Sequence, residues 1–501
     1  MTKLRAPSPI LLSKVVERLA EEGLVREAPS DDVWLEGVTA DSRLVVPGDL
    51  FCAWTGTVRD AHVFVASAGE AGAVAAVVER AVVGAIPQVV VKDGRAAAAL
   101  AADEVMARPG EELVLAGVTG TNGKTSTVWL LRHLLSGRYA TASLGTVGAV
   151  LGDGVPLPGT ESLTTPGPVG MALTMRSFVD HDIEAVALEV SSHALDQGRV
   201  RALRFNAAVL TNLSRDHLDY HGSFERYRET KRAIVDLVAG DGVAVLNADE
   251  PAWDGLDQRV PRAIRFAVEG GRGASVAEVV AADVSHTLRE SRFKLISPWG
   301  EAVVGFPLPG AYNVQNALAA AAAALGLGLG LDEVAARLDT APQVPGRLER
   351  ITDWPCPVFT DYAHTPDALE RVLATLRSTT RGRVIALFGA GGDRDVGKRP
   401  LMGEVAAGLA DVLIVTSDNP RTEDPEVIID HVMAGIDRAD VVRITDRRAA
   451  IHRALELAEP EDVILLAGKG HETYQVLGTE TVAFDEREVV AEWISEKDGP
   501  A

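Results

Sequence analysis

Gly117-Val-Thr-Gly-Thr-Asn-Gly-Lys-Thr125 is the stretch whose chemistry decides the architecture. It follows an apolar run, Leu113-Val-Leu-Ala116, that reads as a buried strand. It precedes Val128, Leu131 and Leu135, spaced as one face of a helix. Strand, glycine-rich loop and helix start together make a cradle whose backbone N–H groups and helix dipole face phosphate oxygens. In such a loop Lys124 reaches the outer phosphates and the Thr125 hydroxyl takes magnesium. Gly120, Thr121, Asn122, Gly123, Lys124 and Thr125 are therefore the candidate triphosphate-binding residues. The strict phosphate-loop pattern has a small residue where Val118 stands, so here Gly120 and Gly123 supply the turn. The alternative is an ordinary strand-to-helix turn, and the Gly-Lys-Thr ending weighs against it.

Around this loop, a chain of 501 residues is too long for one core and divides into about three domains. An apolar content of 47% with 24% charged residues is that of a soluble globular protein. The two cysteines, Cys52 and Cys356, lie far apart and belong to no metal-spaced set. Neither disulfides nor structural zinc are indicated, which fits a reducing cytoplasm. Residues 11–19 read as a short amphipathic helix carrying Lys14, Glu17 and Arg18, not as a signal peptide. The alanine- and glycine-rich run at 317–331 falls short of a membrane span and reads as a core helix. The formal net charge of −22 argues against a nucleic-acid binder. An acidic protein still holds anionic ligands where arginines, lysines and helix N-termini gather locally. A monomer is the default expectation.

The first 112 residues carry short strand-like segments, such as 74–78 and 88–91, joined by Gly- and Asp-rich turns, and form a small α/β domain. The second domain, 113–341, repeats an apolar strand followed by a polar cluster. Ile183-Glu-Ala-Val-Ala-Leu188 leads into Glu189-Val-Ser-Ser-His193, and residues 205–210 lead into Thr211-Asn-Leu-Ser-Arg-Asp-His-Leu-Asp219. Near-continuous apolar strands alternating with helices indicate a parallel sheet buried on both faces. In the third domain, 342–501, four apolar runs open into polar loops: Asp361-Tyr-Ala-His364, Gly389-Ala-Gly-Gly-Asp-Arg-Asp395, Ser417-Asp-Asn-Pro-Arg421 and Gly468-Lys-Gly-His-Glu472. Ligands bind beyond the carboxyl ends of strands in open α/β sheets, so the four loops describe one rim and one binding site.

Glu189 closes a buried strand beside the phosphate loop, where such enzymes place an acidic magnesium ligand. The plain alternative is a surface residue ending the strand. His217 is a loop histidine by default, although its position at a strand end also suits a metal role. Lys231 reads as a solvated lysine on an amphipathic helix over 224–237, and spacing alone gives no reason to prefer another role. The third domain gathers Arg394, Lys398, Arg399 and Arg421 on or beside its loops. Arginine forks grip carboxylates, and Glu472 can accept from an ammonium, so this rim suits an amino-acid zwitterion. Asp-Asn-Pro is also ordinary turn chemistry.

These clusters, in this order and over essentially the whole chain, resemble the Mur ligases of peptidoglycan synthesis. The resemblance rests on Gly120-Thr-Asn-Gly-Lys-Thr125, Glu189-Val-Ser-Ser-His193, Asp216-His-Leu-Asp219, Asn313-Val-Gln-Asn316, Gly346-Arg-Leu-Glu349 and Asp361-Tyr-Ala-His364. It implies an N-terminal domain for a uridine nucleotide, a central ATPase domain and a Rossmann-like C-terminal domain for an amino acid. Ser42 and the turn Thr57-Val58-Arg59 then match uridine-binding segments, and Thr164, Thr165, Ser191, Gln197 and Arg199 match positions that hold the muramyl dipeptide. Asn316, Arg347 and Asp361 match residues near the adenine nucleotide. Lys231 matches a lysine carbamylated in the family, which would turn a cation that repels magnesium into an anion that helps hold it. Thr125 and Glu189 would ligate one magnesium, and His217 and Lys231 would serve a second.

Arg394, Asp418, Asn419, Pro420, Arg421, Gly468 and Glu472 match the amino-acid pocket of members that use diaminopimelate; lysine-adding members lack the arginine of Asp-Asn-Pro-Arg. The implied reaction joins meso-diaminopimelate to UDP-N-acetylmuramoyl-L-alanyl-D-glutamate through an acyl phosphate. Lys124, Glu189, His217 and Lys231 form the implied catalytic set. Two alternatives remain: a folylpolyglutamate-synthetase-like ligase, and a nucleotide-switched binding module, for which no Asn-Lys-x-Asp guanine signature occurs.

Overall fold

The computed structural model describes residues 4–498 apart from 57, 58, 85, 153, 158, 159, 161 and 162. Thr57 and Val58, two expected nucleotide contacts, thus lie outside the described residues. The chain forms two compact units. One comprises Met1–Val280, Ser297–Trp299 and Leu318–Val334, and the other Ala281–Ile296, Gly300–Ala317 and Ala335–Ala501.

Besides the short antiparallel pair Ile10–Leu11 with Trp34–Leu35, the first unit contains two sheets. The smaller has the order Val25–Glu27, Gln88–Val91, Ala75–Val78, Asp49–Cys52, Gly37–Thr39, parallel except for its first strand. The expected amphipathic N-terminal helix forms at Leu12–Glu21 and turns Leu12, Val15 and Leu19 inward. The Gly94–Val105 helix is buried over most of its length. Its many alanines permit that, because they lose no side-chain entropy on burial. Val169 and Ala172 from the Pro168–Asp180 helix complete the same core.

The larger sheet of this unit sets Thr141–Gly145, Ala185–Glu189, Val114–Thr119, Phe205–Leu210, Val238–Asn247 and Ala263–Val268 side by side, all parallel. Residues 185–189 and 205–210 flank the phosphate-loop strand. Both are buried almost throughout, which explains their unbroken apolar sequence. Antiparallel strands adjoin this parallel run beside Thr141–Gly145. Gly148–Leu151 pairs antiparallel with Thr141–Gly145 across a two-residue turn, and Pro156–Leu157 adds a further antiparallel strand.

In the second unit a six-stranded sheet runs Glu349–Thr352, Val358–Asp361, Val463–Ala467, Val384–Phe388, Val412–Val415, Val442–Arg443. Every pair but the first is parallel. The four expected strands are therefore neighbours that all end on one edge. The last-formed of them, Val463–Ala467, lies between the first two, so the chain order switches there. The Pro366–Thr379, Lys398–Leu409 and Pro425–Met433 helices pack with one apolar cluster, and Arg447–Leu457 and Glu486–Asp498 with another.

Candidate active site

Residues 120–123 leave the Val114–Thr119 strand and enter the Lys124–Leu135 helix through two left-handed glycines, Gly120 (φ +151) and Gly123 (φ +84). A Cβ at Gly120 would collide with the Thr211 hydroxyl. The neighbouring strand end shapes the loop. Thr121 N–H donates to Asn212 O at 2.8 Å, Asn122 N–H to Asn212 Oδ1 at 2.9 Å, and Thr211 Oγ1 to Asn122 O at 2.7 Å. The Thr121 hydroxyl accepts from Ser214 N–H at 3.0 Å and meets Tyr227 Oη at 3.0 Å. Lys124 Nζ donates to the Gly120 and Thr121 carbonyls at 2.9 and 2.8 Å.

Lys231 is not the solvated lysine its spacing suggests. It is 1% exposed, donates to the same Gly120 carbonyl at 2.7 Å, and sits 4.8 Å from the centre of the Tyr227 ring. Burial, reinforced by the charge of Lys124, pushes its amine well below the ordinary lysine value, with Asp216 opposing. Glu189 is buried as well, so the surface alternative falls. Its carboxylate accepts from Thr146 N–H at 2.8 Å and Thr146 Oγ1 at 3.1 Å.

His217 occupies a left-handed turn (φ +50), with its ring 4.8 Å from that of His193. Burial lowers its pKa, with Asp216 opposing and the two lysines adding to the effect. His193 is lowered further, to about 4, by burial and then by His217 and His221.

Among the described residues no three His, Cys, Asp or Glu side chains gather into a metal cage. Magnesium asks for less, since it keeps phosphate and water oxygens and takes one or two from the protein. The Thr125 hydroxyl and the Glu189 carboxylate fit that role. His217 offers a ring nitrogen kept neutral by its surroundings, and Lys231 fits only once its amine becomes a carbamate.

The residues expected around a muramyl dipeptide form one hydrogen-bonded chain. Thr165 Oγ1 donates to Glu189 O at 2.8 Å and lies 3.4 Å from Ser191 Oγ, while Arg199 reaches Thr165 O at 2.8 Å and Gln197 Oε1 at 2.8 Å. Gln197 passes the chain to Tyr220 Oη at 3.1 Å, and Thr164 Oγ1 lies 3.3 Å from Thr146 Oγ1. Ser42 opens a short 3-10 turn capped by Asp41, and Arg59 O accepts from Gly56 N–H at 2.8 Å.

The second unit carries the remaining candidates. Asp361 accepts from Leu348 N–H at 2.6 Å and Ala363 N–H at 2.7 Å, yet burial holds its pKa up at about 6 against the nearby Arg347. Arg347 lies 4.7 Å over the Tyr362 ring, and Asn316 is buried with its amide 3.4 Å from Asn313 Oδ1. At the rim, Asn419 Nδ2 donates to Glu472 Oε2 at 2.9 Å, and Arg421, itself left-handed (φ +52), donates to Gly392 O at 2.7 Å after Pro420. Gly468 takes φ +115 beside Asp418, and Arg394 donates to Asp393 O at 3.1 Å on the exposed side. Arg399 turns inward: it is fully buried and forks onto Glu423 at 2.8 and 2.9 Å. Sequence reasoning passed over Thr146, Thr211, Asn212, Tyr220, His221 and Lys469, whose partners are remote in the chain.

The Mur ligase middle domain family matches residues 118–324, and the Mur ligase glutamate ligase domain family matches residues 346–470. The chain is 41% identical over 489 residues to UDP-N-acetylmuramoyl-L-alanyl-D-glutamate--2,6-diaminopimelate ligase of Gloeobacter violaceus, spanning 96% of this chain and 98% of that protein. Identity to the protein of the same name from Geobacillus kaustophilus is 42% over 469 residues, or 91% and 94% of the two chains. A solved structure of a ligase of that name matches with a TM-score of 0.69 at 34% identity, covering 93% of this chain and 96% of the other. With two Mur ligase domain families matched along it and a relative 41% identical over 96% of its length, the chain belongs to the Mur ligase family.

Proposed function

We propose that this ligase adds meso-diaminopimelate to UDP-N-acetylmuramoyl-L-alanyl-D-glutamate, using ATP, as a cytoplasmic monomer. The observation that carries the choice of amino acid is the rim where Asp418, Asn419 and Glu472 stand with Arg421, a set able to receive both an ammonium and a carboxylate. The names of the relatives point the same way. Residues 1–112 serve the uridine nucleotide through Ser42 and Arg59, residues 113–341 the nucleotide and dipeptide, and residues 342–501 the amino acid. Asn316, Arg347 and Asp361 attend the adenosine end of ATP.

Loop 120–125 holds the triphosphate by its backbone N–H groups, and Lys124 swings from its carbonyl contacts onto the outer phosphates. Thr164, Thr165, Ser191, Gln197 and Arg199 orient the dipeptide so that the D-glutamate side-chain carboxylate faces the terminal phosphoryl group. That oxygen attacks phosphorus, ADP leaves, and an acyl phosphate forms. Glu472 and Arg421 hold diaminopimelate while its deprotonated amine attacks the acyl carbon, and the tetrahedral intermediate collapses to amide and phosphate. Thr125 and Glu189 would hold one magnesium ion, and His217 with carbamylated Lys231 a second, supplying charge neutralisation during phosphoryl transfer. The depressed Lys231 amine is suited to react with carbon dioxide, because only the neutral form is nucleophilic.

Phosphate release measured with the muramyl dipeptide and each of meso-diaminopimelate, LL-diaminopimelate and lysine tests the assignment. Turnover should be fastest with the meso isomer. A preference for lysine, or no transfer of isotope from the acid oxygen into inorganic phosphate, would overturn it.

A further inference from the structure

Lys469 plays no part in the scheme above, yet it is 0% exposed. It follows the Val463–Ala467 strand, and its ammonium donates to Asn419 Oδ1 at 3.1 Å and to Glu472 Oε2 at 3.2 Å. Asp418 Oδ1 stands 3.7 Å away. Asn419 Nδ2 donates to the same Glu472 oxygen at 2.9 Å, and Asn419 Oδ1 also takes Val476 N–H at 3.0 Å. A buried ammonium is tolerated only where it is paired and hydrogen-bonded. Here one cation fixes an amide and two carboxylates drawn from two separate strand-end loops.

Asp418 points to what the arrangement is for. It is 6% exposed, and among the described residues its carboxylate accepts no hydrogen bond and has Lys469 as its one ion-pair partner. Buried carboxylates are normally satisfied, so this one has capacity for a donor from outside the protein. Space is kept for it as well: a Cβ at Gly468 would lie 2.5 Å from Asp418 Oδ2.

We propose that Lys469 is a positioning residue that sets the specificity of the amino-acid pocket. It holds Asp418 and Glu472 at the separation that receives a substrate ammonium, and it cancels one of their two charges. Counting Lys469 and Arg421 together with Asp418 and Glu472, the rim is formally neutral and complements a zwitterionic side-chain terminus. Without Lys469 it becomes an anion, which favours a bare ammonium such as that of lysine. The inference rests on the reading of this rim as the amino-acid site.

Lys469→Met and Lys469→Gln, assayed with meso-diaminopimelate and with L-lysine at saturating ATP and muramyl dipeptide, provide the test. The KM for meso-diaminopimelate should rise about tenfold or more while kcat changes less than about threefold. The ratio of kcat/KM for meso-diaminopimelate over lysine should fall about tenfold. ADP affinity, titrated on the same samples, should stay at the wild-type value, which a general loss of structure would not permit. Combined with Glu472→Gln, Lys469→Met should raise KM by less than the product of the two single effects. Should the methionine variant not fold, the glutamine variant, which keeps a donor, carries the same comparison. An unmoved KM and unmoved preference in an active variant would overturn the role of Lys469. A wild-type enzyme inactive with meso-diaminopimelate would instead strike the proposed function itself.

Discussion

At Gly120 the backbone tolerates only a hydrogen atom, since any Cβ meets the Thr211 hydroxyl. Gly120→Ala should therefore weaken ADP binding by about tenfold or more by calorimetry, since the cradle must distort to admit the methyl. Lys231→Ala should abolish turnover, with partial rescue by a short-chain carboxylic acid that supplies the missing anion. Near-normal activity of that variant would remove Lys231 from the mechanism. Single residues were unevenly legible in the sequence. Gly120, Lys124 and Thr125 announce themselves because their contacts are local. Lys231 does not: its lysine-and-arginine-rich helix looks solvated, and the Gly120 carbonyl that holds it lies 111 residues away. Thr146 was hidden likewise, since the Glu189 it braces is 43 residues on. Neither tie leaves any periodicity to detect.

Among the elements, buried parallel strands were legible because their apolar runs are continuous, as at Val384–Phe388 and Phe205–Leu210. Short edge pieces such as Gly148–Leu151 and Val442–Arg443 were not, because neighbouring strands rather than their own composition fix them. The Gly94–Val105 helix carries a buried acid, Asp103, whose pKa burial raises from 3.8 to about 7. Below pH 3.8 both folded and unfolded chains bind this proton, and the contribution to stability is whole. Between there and about pH 7 the unfolded chain releases a proton that the native state retains, so stability falls as pH rises. The slope is at most about 1.4 kcal/mol per pH unit, and Asp103→Asn should flatten it in urea unfolding compared at pH 5 and pH 8. A buried ion pair binds the last helix to the rim of its sheet. Arg447 donates to Glu486 at 2.7 Å, to Ala467 O at 2.8 Å and to Ser417 O at 3.2 Å, while Thr360 Oγ1 donates to Glu486 at 2.7 Å. Arg447→Met should cost about 3–5 kcal/mol in denaturant unfolding, because Glu486 is left buried without its partner.

For the molecule as a whole, two compact units with separate apolar clusters should unfold in two calorimetric transitions. Meso-diaminopimelate, held by residues of the second unit alone, should raise one midpoint and leave the other in place. A single transition would contradict that division. The path of the chain has a further consequence. Having left the first unit after Val280, it returns there for Leu318–Val334, and residues 318–325 are buried apolar side chains throughout. A nascent polypeptide emerging from the ribosome therefore cannot finish its first half when residue 280 appears. At about 5–20 residues per second, a few seconds pass before the missing helix arrives, and its greasy seat stays open to chaperones meanwhile. For the same reason no single cut in the gene yields two self-sufficient fragments.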